Sequence, residues 1–224
     1  MKITVPTSLS EMTLRQWQNY HRVIKESQEP SFVQLALVTI FCNITVAEAK
    51  SISSKDLKET ADQIASVLNE PARHIQRFVK KGIEYGFIPN LDTMTAGEYI
   101  DLDDKFTEEE ELHNAMAILY RPIVQGKTFK DLYQIEPYES AEKYSDIMKE
   151  CPLSVALGAK VFFYSLGSEL LNATIHFIQQ PTKEAEEMKA GLMKSGVGTT
   201  QFIQLLTESN RDLKQLLNLT YTNL

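Results

Sequence analysis

Hydrophobic residues recur at helical spacing along most of this chain and are densest between Pro152 and Phe177. There they cover nearly the whole circumference of a helix, so the helix must be buried in a protein core or a membrane. Proline suits the first turn of a helix, and no other proline follows before Pro181. Lys160 and Glu169 interrupt the run, and a charge at the bilayer centre costs roughly 2.5–3.5 kcal/mol. We therefore predict one long, buried central helix in a soluble domain.

Two glycines, Gly158 and Gly167, lie inside this predicted helix. Each weakens an isolated helix by about 1 kcal/mol relative to alanine. We interpret them as positions where a neighbouring segment approaches the helix closely.

Start and stop signals predict further helices on both sides of the central one. Thr13 with Gln16, and Thr95 with Glu98, match the capping box, in which two side chains satisfy amides at a helix N-terminus. The predicted helices cover residues 13–26, 31–41, 54–70, 95–106, 107–121 (with a third capping box at Thr107 and Glu110), 140–149 and 183–193, followed by a glycine-rich hinge at 195–198 and a final pair of helices near 202–206 and 213–219.

The hydrophobic period changes from helical to alternating after residue 75. Lys81-Gly82 between two short alternating runs predicts a tight β-hairpin, and Gly86 indicates a bulge in its second strand. Alternation places Ile83 and Tyr85 on one face, together with Phe87. Residues 2–5 predict a short strand that joins the hairpin, and residues 133–135 predict another short strand.

These elements predict a mainly α fold: a multi-helix domain around one long buried helix, with a small β-hairpin or three-stranded sheet on one side. We place the helical core domain at residues 1–180, with the hairpin near 75–88. Residues 181–224 form a C-terminal helical arm or subdomain, because the apolar periodicity after Pro181 is weak.

The charge balance narrows the classes of partner. The 224 residues carry a net charge of −7, which argues against a surface that must neutralise nucleic-acid phosphates. Cys42 and Cys151 are far apart and without paired spacing, so we expect reduced thiols in a cytosolic setting. The first twelve residues contain no apolar segment of the signal-peptide type.

No motif for catalysis, metal or cofactor binding fits the chain. Asp101 and Asp103 match the start of a calcium loop, but Lys105, Phe106 and Leu112 occupy later positions that need a ligand or a glycine. The four histidines share no ligand spacing, which argues against zinc. We therefore predict no enzyme activity, no metal and no cofactor.

Two charged segments are the candidate partner-binding features. A basic cluster, Arg73, Arg77, Lys80 and Lys81, surrounds the hairpin, and it can either meet an acidic partner or protect an exposed strand edge from pairing. In the first case, the acidic partner is the segment 98–111 of another copy of the chain. The candidate partner-binding residues are Arg73, Arg77, Lys80, Lys81, Tyr85, Phe87, Glu98, Asp101, Asp103 and Asp104, although aromatic residues such as Tyr85, Phe87, Tyr99, Tyr120 and Tyr133 more often form core.

Several segments together carry a family resemblance. They are ITVPTSLSEMTLRQWQNY near the start, YGFIPNLDTMTAGEYIDLDDKF from Tyr85, then LHNAMAILYRPI, IEPYE and LGAKVFFYSLGSELL. Over about residues 3–178 the chain resembles a family of tailed-bacteriophage proteins encoded among virion and tail genes. The family occurs in phages of Bacteroidetes-type hosts, including crAss-like phages.

The resemblance implies a non-enzymatic phage structural or morphogenesis protein, a neck or tail-region subunit. The alternative is a tail-assembly chaperone that binds a tail protein transiently and is absent from the mature virion. Either function implies other phage virion or tail proteins as partners, and the first favours a homo-oligomer. We expect no nucleic acid or membrane as partner, and a location in the host cytoplasm during assembly and then in the virion.

Overall fold

A computed structural model describes residues 3–106, 108–126, 133–194, 196 and 198–218. The α-helices are α1 (Leu14–Ile24), α2 (Pro30–Phe41), α3 (Val46–Lys50), α4 (Ser54–Leu68), α5 (Ala96–Phe106), α6 (Leu112–Leu119), α7 (Glu142–Lys149), α8 (Leu153–Gln179), α9 (Lys183–Lys194) and α10 (Thr199–Asn218). The strands are β1 (Arg77–Lys80), β2 (Ile83–Phe87), β3 (Tyr120–Gly126) and β4 (Tyr133–Ile135). The predicted fold class, mainly α with a small sheet, is confirmed.

The chain forms two compact units. The first runs to Ala159 and the second begins at Lys160, so α8 starts in one unit and continues into the other. The sequence pattern placed a boundary at residue 180 instead, and that division stays a prediction.

Local sequence chemistry sets the helix starts. Thr13 and Gln16 form the predicted capping box of α1, since the Thr13 side chain accepts from the Gln16 amide and the Gln16 side chain accepts from the Thr13 amide. Thr45 and Glu48 make an equivalent box for the short helix α3, which the sequence analysis missed. The predicted box at Thr107 involves a residue outside the described ranges, and α6 begins later, at Leu112.

Large apolar side chains from several helices fill the core of the first unit. In α1, α2 and α4 they are Trp17, Tyr20, Leu37, Ile64 and Leu68, all buried almost completely. The start of α8 is joined to the N-terminal segment by two backbone bonds: the Leu14 amide donates to the Cys151 carbonyl at 3.1 Å, and the Leu153 amide to the Met12 carbonyl at 2.9 Å.

The sheet is antiparallel, with strand order β1-β2-β3-β4. The prediction that residues 2–5 add a strand is wrong for the described residues 3–5, which have no strand structure. Further along, Thr13 forms an isolated antiparallel bridge with Pro152, just before the start of α8. The edge of β2 that faces away from β1 pairs with β3. The first residues of β3 had been predicted to end a helix.

Gly86 does not mark a bulge, which corrects another prediction. Pairing of β2 runs without interruption past Gly86, and the irregularity in the sheet lies in β3, between Ile123 and Gln125. A Cβ at residue 86 would lie 2.9 Å from the Tyr133 Cδ2 and overlap the rest of that ring edge. Glycine is present because an aromatic ring packs against the backbone there.

The long helix α8 is confirmed as a single helix, but it is not buried along its whole length. Residues 153–160 are buried, except Ser154, whereas Leu166, Leu170 and Phe177 are exposed. The first unit packs around the first turns only, and in the second unit the neighbouring helix α10 contacts one side of α8. Among the described residues, no helix is both long and apolar enough to cross a membrane.

The C-terminal region forms one long helix, α10, where the sequence pattern predicted a pair. Its polar middle contains neither glycine nor proline to end a helix, and Asn210 within it is buried and hydrogen-bonded to α8. Ser195 and Val197 of the predicted hinge lie outside the described residues. Gly196 and Gly198 both have positive φ angles and separate α9 from α10.

Candidate partner-binding surface

The β1–β2 hairpin forms because its two central residues both have positive φ angles, +51° at Lys81 and +77° at Gly82. That combination matches the right-handed twist of two antiparallel strands. Phe78 pairs with Tyr85 on the core side of the hairpin, their rings stacked 5.4 Å apart. The core does not extend to the tip, and Val79 there is 64% exposed.

We call Val79, Lys80, Lys81 and Ile83 the hairpin patch. Ile83 is exposed although alternation grouped it with the buried Tyr85. The patch therefore lies around the tip of the hairpin: Ile83 pairs with Lys80 on the side that carries Phe78 and Tyr85, and Val79 of the edge strand β1 pairs with Glu84 on the other side. Lysine on an edge strand also discourages pairing with another strand.

The two arginines of the predicted basic cluster have partners or roles within the fold. Arg77 is half-buried, with its guanidinium carbon 5.1 Å from the centre of the Tyr133 ring and Nη1 3.9 Å from Glu84 Oε1. The backbone carbonyl of Arg73 packs against α8 at Gly158, while its side chain is exposed. At the hairpin tip, Lys81 carries the exposed charge and Lys80 beside it is half-buried.

The predicted capping box of α5 is present. The Thr95 amide donates to Glu98 Oε2 at 2.6 Å, and the Glu98 amide donates to the Thr95 hydroxyl at 3.2 Å. It fixes the rotation of α5 so that Glu98 and Leu102 point inward.

The opposite side of α5 carries Tyr99, Ile100, Asp103 and Asp104, which we call the α5 outer face. All four are exposed, and Ile100 is exposed to 65%. Spacings of one, three and four residues place them on one side of the helix. Tyr99 was predicted to lie with the core aromatics, because the sequence pattern carries no signal that α5 buries only its other side.

Most of the acidic segment 98–111 is engaged within the fold. Glu98 contacts Arg121, Asp101 accepts from the Tyr138 hydroxyl, Glu109 lies 3.1 Å from His21 Nδ1, Glu110 lies 2.9 Å from Lys25 Nζ, and Glu111 accepts from Asn114. Asp103 and Asp104 are the predicted site acids that remain exposed, and Asp104 Oδ2 lies 3.1 Å from Lys105 Nζ of the next residue. The segment is therefore mainly structural, and only its α5 outer face presents acids next to apolar side chains.

Glu98 and Arg121 form a buried ion pair in this region. Both residues are buried, Arg121 Nη2 lies 2.5 Å from Glu98 Oε1, and the guanidinium lies over the Tyr138 ring at 5.6 Å. Burial by itself raises the pKa of Glu98, but hydrogen bonds from Thr95 and the Arg121 charge outweigh it and lower the pKa below its ordinary value. Arg121 Nε and Nη1 have no hydrogen-bond partner among the described residues.

Tyr85 and Phe87, two predicted site residues, lie in the core rather than on the surface. Both are buried, and Phe87 contacts the Tyr120 ring at 5.2 Å. Tyr120 in turn donates its hydroxyl proton to the Ile75 carbonyl at 2.6 Å. The structure thus leaves Lys80 and Lys81 on one element, and Asp103 and Asp104 on another, as the predicted charged residues next to exposed apolar ones.

Comparison of the chain with protein-family models, with curated proteins and with solved structures finds no match. Within the described ranges, no group of three or more histidine, cysteine, aspartate or glutamate residues is placed to hold a metal ion. Burial raises the pKa of the Cys151 thiol to about 12, so this sulfur is protonated at neutral pH and is not a nucleophile there.

Proposed function

We propose that this chain is a non-enzymatic assembly subunit of a tailed phage, positioned in the neck or tail region, which works by binding copies of itself and virion neighbours. The observation that supports it is the presence of two exposed surfaces of matching chemistry and opposite charge. The hairpin patch offers Val79 and Ile83, on the two sides of the hairpin tip, beside two lysines, and the α5 outer face offers Tyr99 and Ile100 beside two aspartates.

Such a pair of surfaces suits head-to-tail contact between copies. A contact between two different surfaces leaves one of each free on the outermost copies, so it continues until a ring closes or a filament forms. Apolar centres supply the buried area, while opposite charges at their margin steer the copies into register. Rings of this kind are the form expected of a neck or tail-region subunit.

A charge-reversal experiment tests the contact. The double substitution Lys80→Glu/Lys81→Glu places two acids opposite Asp103 and Asp104, and we expect association to weaken at least tenfold because juxtaposed like charges cost several kcal/mol. Asp103→Lys/Asp104→Lys should weaken it equally. All four substitutions in one chain restore the opposite charges and should restore the oligomer, measured by native mass spectrometry and light scattering.

The matched control is Lys55→Glu/Lys58→Glu on α4, which makes the same charge change at two exposed lysines outside both surfaces. It should leave the oligomer unchanged. A wild-type chain that is monomeric at every concentration would contradict the proposal, as would reversal variants that assemble like wild type.

The virion assignment needs its own measurement. Quantitative proteomics of purified phage particles should find this chain in a fixed ratio to other tail or neck proteins. Absence from particles, combined with co-purification of the chain with a tail protein from infected cells, would instead establish the tail-assembly chaperone. Turnover of a substrate that is lost on a single-residue change would overturn the non-enzymatic assignment.

A further inference from the structure

An apolar seam runs along the second half of α8. Leu166, Leu170, Ala173 and Phe177 are all exposed in the described part of the chain, and Leu170 is exposed to 66%. Their spacings of four, three and four residues are those of the core positions of a coiled coil. At 100° per residue the four lie within about 60° of one another on the helix.

The opposite side of this half-helix is already packed. Ser168 Oγ donates to Asn210 Oδ1 at 2.6 Å, and Asn210 Nδ2 donates to Asn172 Oδ1, also at 2.6 Å. Ser168 and Asn210 are buried, so these bonds fix the rotation of α8 against α10. The apolar seam therefore faces away from α10.

We infer that this seam binds the same seam of a second copy, with the two α8 helices antiparallel. In that arrangement Leu166 meets Phe177 of the other copy, and Leu170 meets its Ala173. Each layer of the interface then contains two side chains of different size, one from each copy, and a two-fold axis relates the two copies. A parallel pair in register would instead place Ala173 against Ala173, leaving a gap beside a crowded Phe177 layer, which close-packed interfaces disfavour.

The polar residues that flank the seam favour the antiparallel arrangement, since a carboxylate can accept a hydrogen bond from an imidazole. Glu169 is the single Asp, Glu, Lys or Arg residue between positions 161 and 182, and His176 is the single histidine there. Each precedes a seam residue, Leu170 or Phe177, by one position, so both flank the same side of the seam. Antiparallel pairing brings Glu169 of each copy opposite His176 of the other, whereas parallel pairing places it opposite Thr174.

This inference does not depend on the contact between the hairpin patch and the α5 outer face. Head-to-tail contacts propagate, whereas the α8 seam is self-complementary and closes after two copies. The seam spans eleven residue steps, about 17 Å of helix, so we expect reversible association.

Leu170→Lys tests the seam, because the side chain is exposed in the single chain and the substitution should leave the fold intact. We expect the dissociation constant of the dimer to rise at least tenfold. It is measured by sedimentation of the full chain in the Lys80→Glu/Lys81→Glu background, in which the head-to-tail contact is removed. Leu205→Lys, an exposed leucine of α10 outside the seam, is the matched control and should remain dimeric. Helical circular dichroism checks that each variant is folded.

A second pair of variants tests the direction. Glu169→Lys should weaken the dimer, because it removes the carboxylate that faces His176. Glu169→Lys/His176→Glu should restore it, because antiparallel pairing places the two new opposite charges facing each other. A dimer that is weakened by the first change and not restored by the second would overturn the antiparallel arrangement. A Leu170→Lys chain that stays dimeric, or a parent chain that is monomeric at its highest soluble concentration, would overturn the seam itself.

Discussion

Replacing Gly158 with alanine is expected to destabilise the first unit by about 3 kcal/mol, the upper part of the range for forcing extra atoms into a packed core. A Cβ at this position would overlap the carbonyl oxygen of Arg73 and lie 2.8 Å from its carbonyl carbon and 3.3 Å from the His74 Cα. All three are backbone atoms, so no side-chain rotation can relieve the contact. Either the segment before β1 or the helix has to move.

The same substitution at Gly97 is the matched control. Gly97 is also helical, in α5, but a Cβ there would meet nothing within 4 Å. Gly97→Ala should therefore stabilise the protein by up to about 1 kcal/mol through helix propensity. Urea denaturation of both variants measures the two effects. Equal effects of the same sign would contradict the close approach of Arg73 to α8.

Replacing Arg121 with methionine is expected to cost about 3–5 kcal/mol, because it leaves the buried Glu98 carboxylate without its cation. Thr95 still donates to that carboxylate, but two hydrogen bonds from a cap do not replace a guanidinium. The double variant Glu98→Gln/Arg121→Met removes both charges and should regain a large part of the loss. A double-mutant cycle by urea denaturation measures the coupling.

The pair also predicts a pH dependence. Since the folded-state pKa of Glu98 lies below its ordinary value of 4.5, its stabilising contribution is present above that pH and is lost as pH falls through the folded-state value. In Arg121→Met the burial remains and the Arg121 charge is gone, so the folded-state pKa of Glu98 rises and the stability lost on acidification becomes smaller than in the wild type. Lys25→Met, which removes the exposed partner of Glu110, should change stability far less. An equal effect from the two variants would contradict a special role for the buried pair.

The sequence predicted those features whose causes are local. Capping boxes at Thr13 and Thr95 need only two side chains three residues apart, and the hairpin turn needs only Lys81-Gly82 between alternating runs. The single helix α8 follows in the same way, because Pro152 and Pro181 bracket a run of helix-compatible residues. Gly158 was also interpreted correctly, since a glycine in a helix costs stability unless something packs closely against it.

The predictions that failed depend on residues distant in the chain. Tyr120 and Arg121 end an apolar helical pattern just before Pro122, yet they form a strand because β2 offers its edge for pairing. Gly86 resembled a bulge because the approaching ring of Tyr133 lies far along the sequence. Arg121 was not predicted as a partner of Glu98, since nothing in the local pattern joins α5 to β3.

The amino-acid sequence by itself therefore determined most of the helices, the starts of α1 and α5, the hairpin and the fold class, because propensity, capping and turn geometry act over a few residues. Only the tertiary structure decided which side of each element is exposed. Leu170 is apolar like its neighbours on α8, and Ile100 like Leu102 on α5, so periodicity cannot separate the side that meets the core from the side that stays open. That choice depends on which helix or strand packs alongside, and it defines the hairpin patch, the α5 outer face and the α8 seam as the surfaces through which we propose that this protein assembles.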